Sequence, residues 1–109
     1  MVEVRYYRDI NRVSINGHAM SDEKGRDLIC ASVSTLAQVL GAFVDNMKTS
    51  GQLRYPTVKI DEGEALIECS APSRYKSTIT LVFDVICAGF EHLACDYPEY
   101  VSYEIIGSI

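Results

Sequence analysis

The pattern that decides the fold lies in residues 25–51, which read GRDLICASVSTLAQVLGAFVDNMKTSG. Large apolar side chains recur there at steps of three and four residues, which predicts a helix with one apolar stripe. Gly51 marks the predicted end of this helix, because glycine is favoured just after a helix C-terminus. The stripe consists of Ile29, Val33, Leu36, Leu40, Phe43 and Met47.

Strand patterns of period two lie on both sides of this helix. Residues 2–7 and 13–17 alternate and predict a first hairpin. Residues 57–61 and 65–69 flank the turn sequence DEGE and predict a second hairpin, with Pro56 at its leading edge. The first helix therefore connects two predicted hairpins.

A second helix and a fifth strand complete the predicted order. Ser73 is the predicted cap of the helix, Pro98 ends it, and residues 100–106 predict the last strand. We therefore expect an α+β fold of order ββαββαβ, with a mostly antiparallel sheet and both helices packed on one face. The apolar stripe of the second helix consists of Ile79, Val82, Phe83, Ile86, Phe90 and Leu93.

The composition and charge of the chain limit its functions. Its 109 residues predict one domain, residues 1–109, and 48% hydrophobic residues are enough for a core. Ten Lys and Arg against fifteen Asp and Glu give a net charge of -5, which argues against nucleic-acid binding and favours a basic protein partner. We find no apolar window of about 18 residues and no signal-peptide pattern, so we expect no membrane span and a cytoplasmic location.

The cysteine and histidine spacings do not predict a metal or redox site. The four cysteines form no Cys-x-x-Cys pair and have no zinc spacing with His18 or His92. We expect free thiols, no metal and no cofactor. The cysteines are Cys30, Cys69, Cys87 and Cys95.

An imidazole at a predicted strand end and a thiol near a predicted helix start are the candidate reactive pair. His18 follows Gly17, which lets another backbone approach closely and whose N–H is a candidate oxyanion donor. An imidazole can take the proton of the Cys30 thiol, and a helix N-terminus stabilises the thiolate. Asp27 and Ser34, three residues before and four after Cys30, lie on the same side of the helix.

Structural explanations stay open for the same residues. A free cysteine near a helix start is most often a small buried side chain, and a helical serine such as Ser34 often bonds to its own turn. Asp27 fits a helix cap and a group that orients His18 equally well. His92 lies away from the apolar stripe, and we interpret it as solvated.

A polar segment connects the two candidate residues and predicts a loop over the site. Such a loop fits a lid that gates a substrate site, and it also fits an ordinary surface loop. Its members are Ala19, Met20, Ser21, Asp22, Glu23, Lys24, Gly25 and Arg26.

At these residues the chain resembles the ribosomal-processing cysteine protease family, called Prp. The family shares a Gly-His-Ala motif and an Asp-[hydrophobic]₂-Cys-Ala-x-Val-Ser motif, which match residues 17–19 and 27–34. The likeness extends over the whole chain and includes residues 97–100 before the last strand. Met20 and Ser32 stand where glycine and alanine are common in the family.

The resemblance implies a cysteine peptidase in which His18 is the general base and Cys30 the nucleophile. Asp27 and Ser34 match positions of the motif and are implied to be supporting groups. Family members remove a short N-terminal extension from a large-subunit ribosomal protein and tend to form homodimers. The implied substrate is therefore a protein that is cut once.

The main alternative is a non-catalytic dimeric module that binds a basic ribosomal protein without cutting it. The presence of both His18 and Cys30 at the motif spacing favours the enzyme, whereas a buried Cys30 with an ordinary thiol pKa would favour the module. An RNA-binding domain is disfavoured by the acidic charge and by the lack of a Lys/Arg stripe interleaved with aromatic residues.

Overall fold

The structure, a computed structural model, describes residues 1–17 and 24–107, and for residues 24–27 only the backbone. The predicted order ββαββαβ is confirmed, with a short 3-10 turn at Arg8–Ile10 between the first two strands. The elements are β1 Val2–Tyr7, β2 Arg12–Asn16, α1 Lys24–Met47, β3 Arg54–Asp61, β4 Glu64–Ser70, α2 Ser73–Asp96 and β5 Val101–Ile106.

The five strands form one sheet in the order β3-β4-β2-β1-β5. Each of the pairs β1–β2, β2–β4 and β3–β4 is antiparallel, and β5 runs parallel to β1 with Val4 opposite Tyr103. The parallel pair follows from the connection, because α2 carries the chain back along the sheet before β5 begins. The predicted mostly antiparallel sheet is therefore confirmed.

The alternating strand pattern places one side of the sheet against the helices. The inward side chains are buried, and Phe83 of α2 stacks on Tyr6 of β1 with ring centroids 6.2 Å apart. Both helices thus pack on one face, as predicted. The inward strand residues are Val2, Val4, Tyr6, Val13, Ile15, Ala65, Ile67, Cys69 and Val101.

The buried side of α1 is rotated from the predicted stripe. Leu36 is only partly buried, because it faces α2, where a Cβ added at Gly89 would lie 3.0 Å from its methyl carbons. On a helical wheel the centre of burial lies about 40° closer to Cys30 than the predicted stripe does. The most deeply buried apolar side chains of α1 are Ile29, Val33, Ala37, Leu40 and Val44.

The prediction that Ser73 caps α2 is wrong. Pro72 occupies the cap position, with φ of -56° and ψ of 151°, and makes no side-chain capping hydrogen bond. The first turn is instead closed by the backbone, since the N–H of Tyr75 donates to the carbonyl of Pro72 at 2.9 Å. The helix ends at Asp96, two residues before Pro98, as expected.

The edge strand β3 accommodates Pro56 through an irregularity. The pairing with β4 shifts between Arg54 and Thr57, and Tyr55 between them has a positive φ of 53°. Proline cannot donate a ladder hydrogen bond, so it is tolerated at such a shift on an edge strand. The predicted hairpin of β3 and β4 is confirmed.

Both helices are long and apolar enough to cross a membrane. By length and composition alone, Leu28–Met47 and Ser73–Asp96 qualify as membrane-crossing helices, so the expectation that the chain has no such apolar stretch is wrong. A core helix qualifies in the same way. Here each helix packs one apolar side on the sheet and leaves further apolar side chains exposed on the other.

Candidate active site

The predicted catalytic dyad is only partly within the described residues. Cys30 and Ser34 lie in α1 and Gly17 at the end of β2. The side chain of Asp27 lies outside the described part. Outside it too are His18, Ala19, Met20, Ser21, Asp22 and Glu23, and for Lys24, Gly25 and Arg26 only the backbone is described.

Gly17 fixes the point at which the chain leaves β2 toward His18. Its φ is +102°, and an added Cβ would lie 2.2 Å from the carbonyl oxygen of Met1. This is the close backbone approach that the sequence predicted. Its N–H donates to the carbonyl of Gly63 at 2.9 Å, so this N–H is already engaged and is not a free oxyanion donor.

We expect Gly17→Ala to lower the free energy of unfolding by at least about 2 kcal/mol, because it adds a steric clash to an unfavourable φ. Urea unfolding measures this loss. Gly51→Ala is the matched control, since Gly51 also has a positive φ, of +79°, but no atom lies within 4 Å of its added Cβ. That control should cost only about 1–2 kcal/mol. Equal losses in the two variants would contradict the clash at Met1.

Cys30 lies deeper in α1 than the sequence indicated. The helix begins at Lys24, so Cys30 is its seventh residue and lies in the second turn. The field of a helix N-terminus falls off within the first turn, so it supports a Cys30 thiolate less than expected. The side chain is half-buried and packs against the core.

The same boundary bears on Asp27. As the fourth residue of α1, Asp27 does not occupy the N-cap position, so the interpretation as a helix cap is wrong. The helix starts earlier than the apolar stripe, and the stripe alone cannot show this. The role of a group that orients His18 stays a prediction.

Ser34 lies one turn after Cys30 and is half-buried. Its hydroxyl oxygen accepts a hydrogen bond from Nε2 of Gln38 at 3.2 Å. By contrast, Ser32 and Thr35 bond back to the carbonyls of their own turns, at 2.8 Å each. Because Ser34 accepts from Gln38, its own O–H proton remains available for donation. Sequence reasoning did not select Gln38, although its spacing of four residues from Ser34 is the signal that could have found it.

The Cys30 side of α1 faces the β3–β4 hairpin. Gly41 follows Cys30 by eleven residues, three helical turns, and therefore lies on nearly the same side. A Cβ at Gly41 would lie 2.9 Å from the side chain of Val58 in β3. The N–H of Gly17 donates a hydrogen bond to Gly63 in the turn of the same hairpin. The strand end that precedes His18 and the thiol-bearing side of α1 thus both border the β3–β4 hairpin.

The other cysteines differ from Cys30 in environment. All four are free thiols, as predicted. Burial raises the pKa of the Cys69 thiol to about 11 and that of the Cys87 thiol to about 12, which keeps both protonated at neutral pH and makes them poor nucleophiles. Cys87 was expected on the flank of its helix stripe and lies in the core instead. Cys95 is exposed near the end of α2.

His92 is solvated, as interpreted from the sequence. It is exposed, and its Nε2 lies 3.1 Å from a carboxylate oxygen of Asp96 one turn later. Among the side chains that the structure describes, those of residues 1–17 and 28–107, no group of three or more His, Cys, Asp or Glu could hold a metal ion.

The opposite end of the sheet is fixed by a polar cluster that the sequence did not reveal. Tyr6 donates its hydroxyl proton to Asp84 at 2.7 Å, and Arg8 donates to both carboxylate oxygens at 3.0 and 2.9 Å. The hydrogen bonds from Arg8 hold the pKa of Asp84 below its usual range, and burial raises the pKa of Tyr6. This cluster fixes how α2 is rotated on β1.

The chain combines an α+β fold with a half-buried free cysteine, Cys30, on α1. Comparison with known proteins shows that it is a small cysteine protease. The family model described as cysteine protease Prp matches residues 1–102. The chain therefore belongs to the Prp family of cysteine proteases. No curated protein matches it.

Solved structures share this fold. The SMU.848 protein from Streptococcus mutans is 29% identical, with a TM-score of 0.70 and coverage of 98% of this chain and 93% of that one. The ribosomal processing protease Prp from S. aureus, in complex with a substrate peptide, is 17% identical, with a TM-score of 0.69 and coverage of 95% and 96%. The same protease with a covalently linked product peptide is 18% identical, with the same TM-score and coverage.

Proposed function

We propose that this chain is the endopeptidase that removes the N-terminal extension of a large-subunit ribosomal protein. The observation that carries the proposal is the family match over residues 1–102, with His18 and Cys30 present at the spacing of the family motif. The protease from S. aureus that shares the fold is described as a ribosomal processing protease. The net charge of -5 favours encounter with a basic ribosomal protein in the cytoplasm.

The proposed reaction is nucleophilic catalysis by the Cys30 thiol. His18 takes the thiol proton, and the thiolate attacks the scissile carbonyl to form a tetrahedral intermediate. The C–N bond then breaks, the leaving amine takes the proton from His18, and a thioester remains on Cys30. Water, deprotonated by His18, hydrolyses the thioester and restores the thiol. The covalently linked product peptide in the S. aureus protease supports such an intermediate.

Two structural features bear on which groups would stabilise the thiolate and the oxyanion in this proposal. Because Cys30 lies in the second turn of α1, we assign most of the thiolate stabilisation to a protonated His18. Because Gly17 donates to Gly63, the oxyanion donors are other N–H groups of the loop or the helix. In this proposal Asp27 orients His18, and Ser34 is a supporting group beside the Cys30 thiol. Residues 19–26 contact the substrate. We also propose that the enzyme is a homodimer.

The test is mass spectrometry of the extended ribosomal protein of the same organism after incubation with this chain. We expect one cut that releases the N-terminal extension. The same ribosomal protein without its extension is the control substrate and should stay intact. Cys30→Ala should still bind the extended protein without cutting it. If the wild type also binds it without cutting, the non-catalytic module is the better account.

A further inference from the structure

The strand β3 forms one edge of the sheet and pairs on one side alone. The strand order places β3 last, beside β4, and no other described strand lies next to it. An edge strand presents main-chain N–H and C=O groups that can pair with a further extended segment. We call the unpaired side of β3, from Pro56 to the hairpin turn, the β3 edge.

The register of the hairpin shows which main-chain groups point outward. Asp61 lies opposite Glu64 and closes a two-residue turn, and the pair that closes such a turn is hydrogen-bonded. Bonded and non-bonded positions alternate along an antiparallel pair. Lys59 and Asp61 therefore direct their N–H and C=O groups to β4. Val58 and Ile60 direct theirs to the β3 edge.

Pro56 limits the β3 edge on the side away from the turn. Proline has no N–H to offer a further strand, and the pairing with β4 is shifted beside it, between Arg54 and Thr57. Both features block regular pairing at that end. The open part of the β3 edge is therefore the part next to the turn.

This open part lies on the thiol side of α1. The helix α1 packs over β3 and β4, whereas α2 packs over β5 at the other edge of the sheet. A Cβ added at Gly41 would lie 2.9 Å from the side chain of Val58 and 3.3 Å from that of Ile60. Gly41 points within about 20° of Cys30 on α1, and Leu36, which faces α2, points about 120° away.

The distance from the β3 edge to the thiol suits a short extended segment. Gly41 and Cys30 are eleven residues apart, which is about 16 Å along α1. About five residues of extended chain span that distance. The hairpin turn lies beside the strand end that precedes His18, because the N–H of Gly17 donates to the carbonyl of Gly63 at 2.9 Å. A chain that follows the β3 edge past the turn thus arrives at the proposed catalytic pair.

The charge of the turn favours a basic segment. Asp61, Glu62 and Glu64 are exposed, and none of them forms an ion pair with a described side chain. Asp61 and Glu64 lie directly opposite each other, and like charges at opposite positions destabilise a hairpin. A basic side chain beside the turn would offset this repulsion.

We propose that the β3 edge binds an extended, basic segment of the substrate as an added strand, about five residues from the scissile bond. The N–H and C=O groups of Val58 and Ile60 pair with the main chain of the segment, and the acidic turn holds a basic side chain. The main-chain pairing sets the path of the substrate toward Cys30, and the acidic turn selects basic sequences. The inference rests on the proposed function and names how the substrate is held.

Amide hydrogen exchange, measured by NMR on Cys30→Ala, tests the pairing without cleavage. The probe is a peptide of the extended ribosomal protein that contains the extension and the residues after it. In the free chain the amides of Val58 and Ile60 should exchange fast, and saturating peptide should slow both at least about tenfold. The amides of Thr57 and Lys59, which are bonded to β4, should exchange slowly in both states. The amides of β5, at the other edge, are the control and should keep their rates.

A proline on the β3 edge tests the same hydrogen bond in the active enzyme. Ile60→Pro removes one outward N–H and no bond to β4, so it should raise KM about three- to tenfold and change kcat little. Ile60→Ala also shortens this side chain but keeps the N–H, and it should raise KM less. Circular dichroism checks that each variant is folded. If Ile60→Pro does not fold, the exchange rates of Val58 and Ile60 decide.

Charge reversal at the turn tests the basic character of the segment. Glu62→Lys, added to Cys30→Ala, should raise the Kd of the peptide severalfold at low ionic strength and much less at high ionic strength, where charges are screened. Glu91→Lys is the matched control, because it makes the same change in net charge at an exposed position of α2. It should leave the Kd unchanged.

A bound peptide that leaves Val58 and Ile60 exchanging as fast as in the free chain would overturn the inference. So would a peptide that does not bind to Cys30→Ala. Equal weakening by Glu62→Lys and Glu91→Lys would reduce the role of the turn to net charge and overturn that part. A chain that cleaves the ribosomal protein without protecting the β3 edge would refute this inference alone. A chain that protects the β3 edge but never cleaves would refute the proposed function alone.

Discussion

Replacing Cys30 with serine is expected to lower kcat/KM for the proposed substrate, the extended ribosomal protein, by at least about a thousandfold. Serine has nearly the size of cysteine and keeps the half-buried position filled. The expected loss of activity therefore comes from the weaker nucleophile and not from altered packing. A hydroxyl has a far higher pKa than a thiol and gives a far weaker nucleophile with the same base. His18→Ala should cause a loss of similar size, because the two residues act as one unit in the proposed reaction.

The exposed thiol of Cys95 provides the matched control for this prediction. Cys95→Ser changes the same atom on α2 and should leave kcat/KM unchanged. Rates are measured by mass spectrometry of the released extension, after circular dichroism has shown that each variant is folded. Full activity in Cys30→Ser would disprove its role as the nucleophile, and loss of activity in Cys95→Ser would move that role to the other helix.

Phe83→Ala is expected to lower the free energy of unfolding by about 3–5 kcal/mol. Phe83 is fully buried between α2 and the sheet and stacks on Tyr6 with an interplanar angle of 20°. Truncation removes this contact and leaves a cavity. Such a loss is a large part of the roughly 5–15 kcal/mol that stabilises a typical domain. Urea unfolding measures it directly.

Phe83→Leu is the graded control at the same position. Leucine keeps most of the buried volume, so this variant should lose less than about 1.5 kcal/mol. A loss below about 1 kcal/mol in Phe83→Ala would mean that α2 repacks on the sheet, and it would contradict the tight packing of Phe83 against Tyr6.

The local sequence pattern predicted the helices and strands of this fold. Each element buries one side, so its apolar residues recur with the period of a helix or of a strand. Alternation in residues 2–7 and the DEGE turn located both hairpins. The stripe from Ile29 onward predicted α1 but placed its centre too far from Cys30. Leu36 scores as apolar whether it faces the sheet or α2, and periodicity does not distinguish the two.

The details of helix ends were less predictable. Ser73 has the side chain of a typical cap, yet Pro72 holds that position because its conformation suits the exit from β4. Asp27 likewise has a capping side chain and lies inside α1. A cap is defined by the path of the preceding chain, and that path depends on tertiary packing.

For the candidate site, too, the sequence predicted some features and could not show others. Residue chemistry marked His18 and Cys30 as candidates, and the resemblance of their motifs to a known family assigned them their predicted roles. The sequence could not show that the N–H of Gly17 is engaged by Gly63, because the two glycines come together only when β2 pairs with β4. It also could not show that burial disables the Cys69 and Cys87 thiols and leaves Cys30 half-buried.

The sequence by itself determined the order of the elements and the α+β class, since these depend on local periodicity. It also contained the two motifs through which the chain resembles a family of cysteine proteases. Only the tertiary structure decided the strand order, with β5 parallel to β1 at one edge and β3 at the other. It also decided which side of α1 borders the β3–β4 hairpin and which side of α2 remains exposed. These features depend on contacts between residues far apart in the chain, such as Tyr6 with Asp84 and Gly41 with Val58.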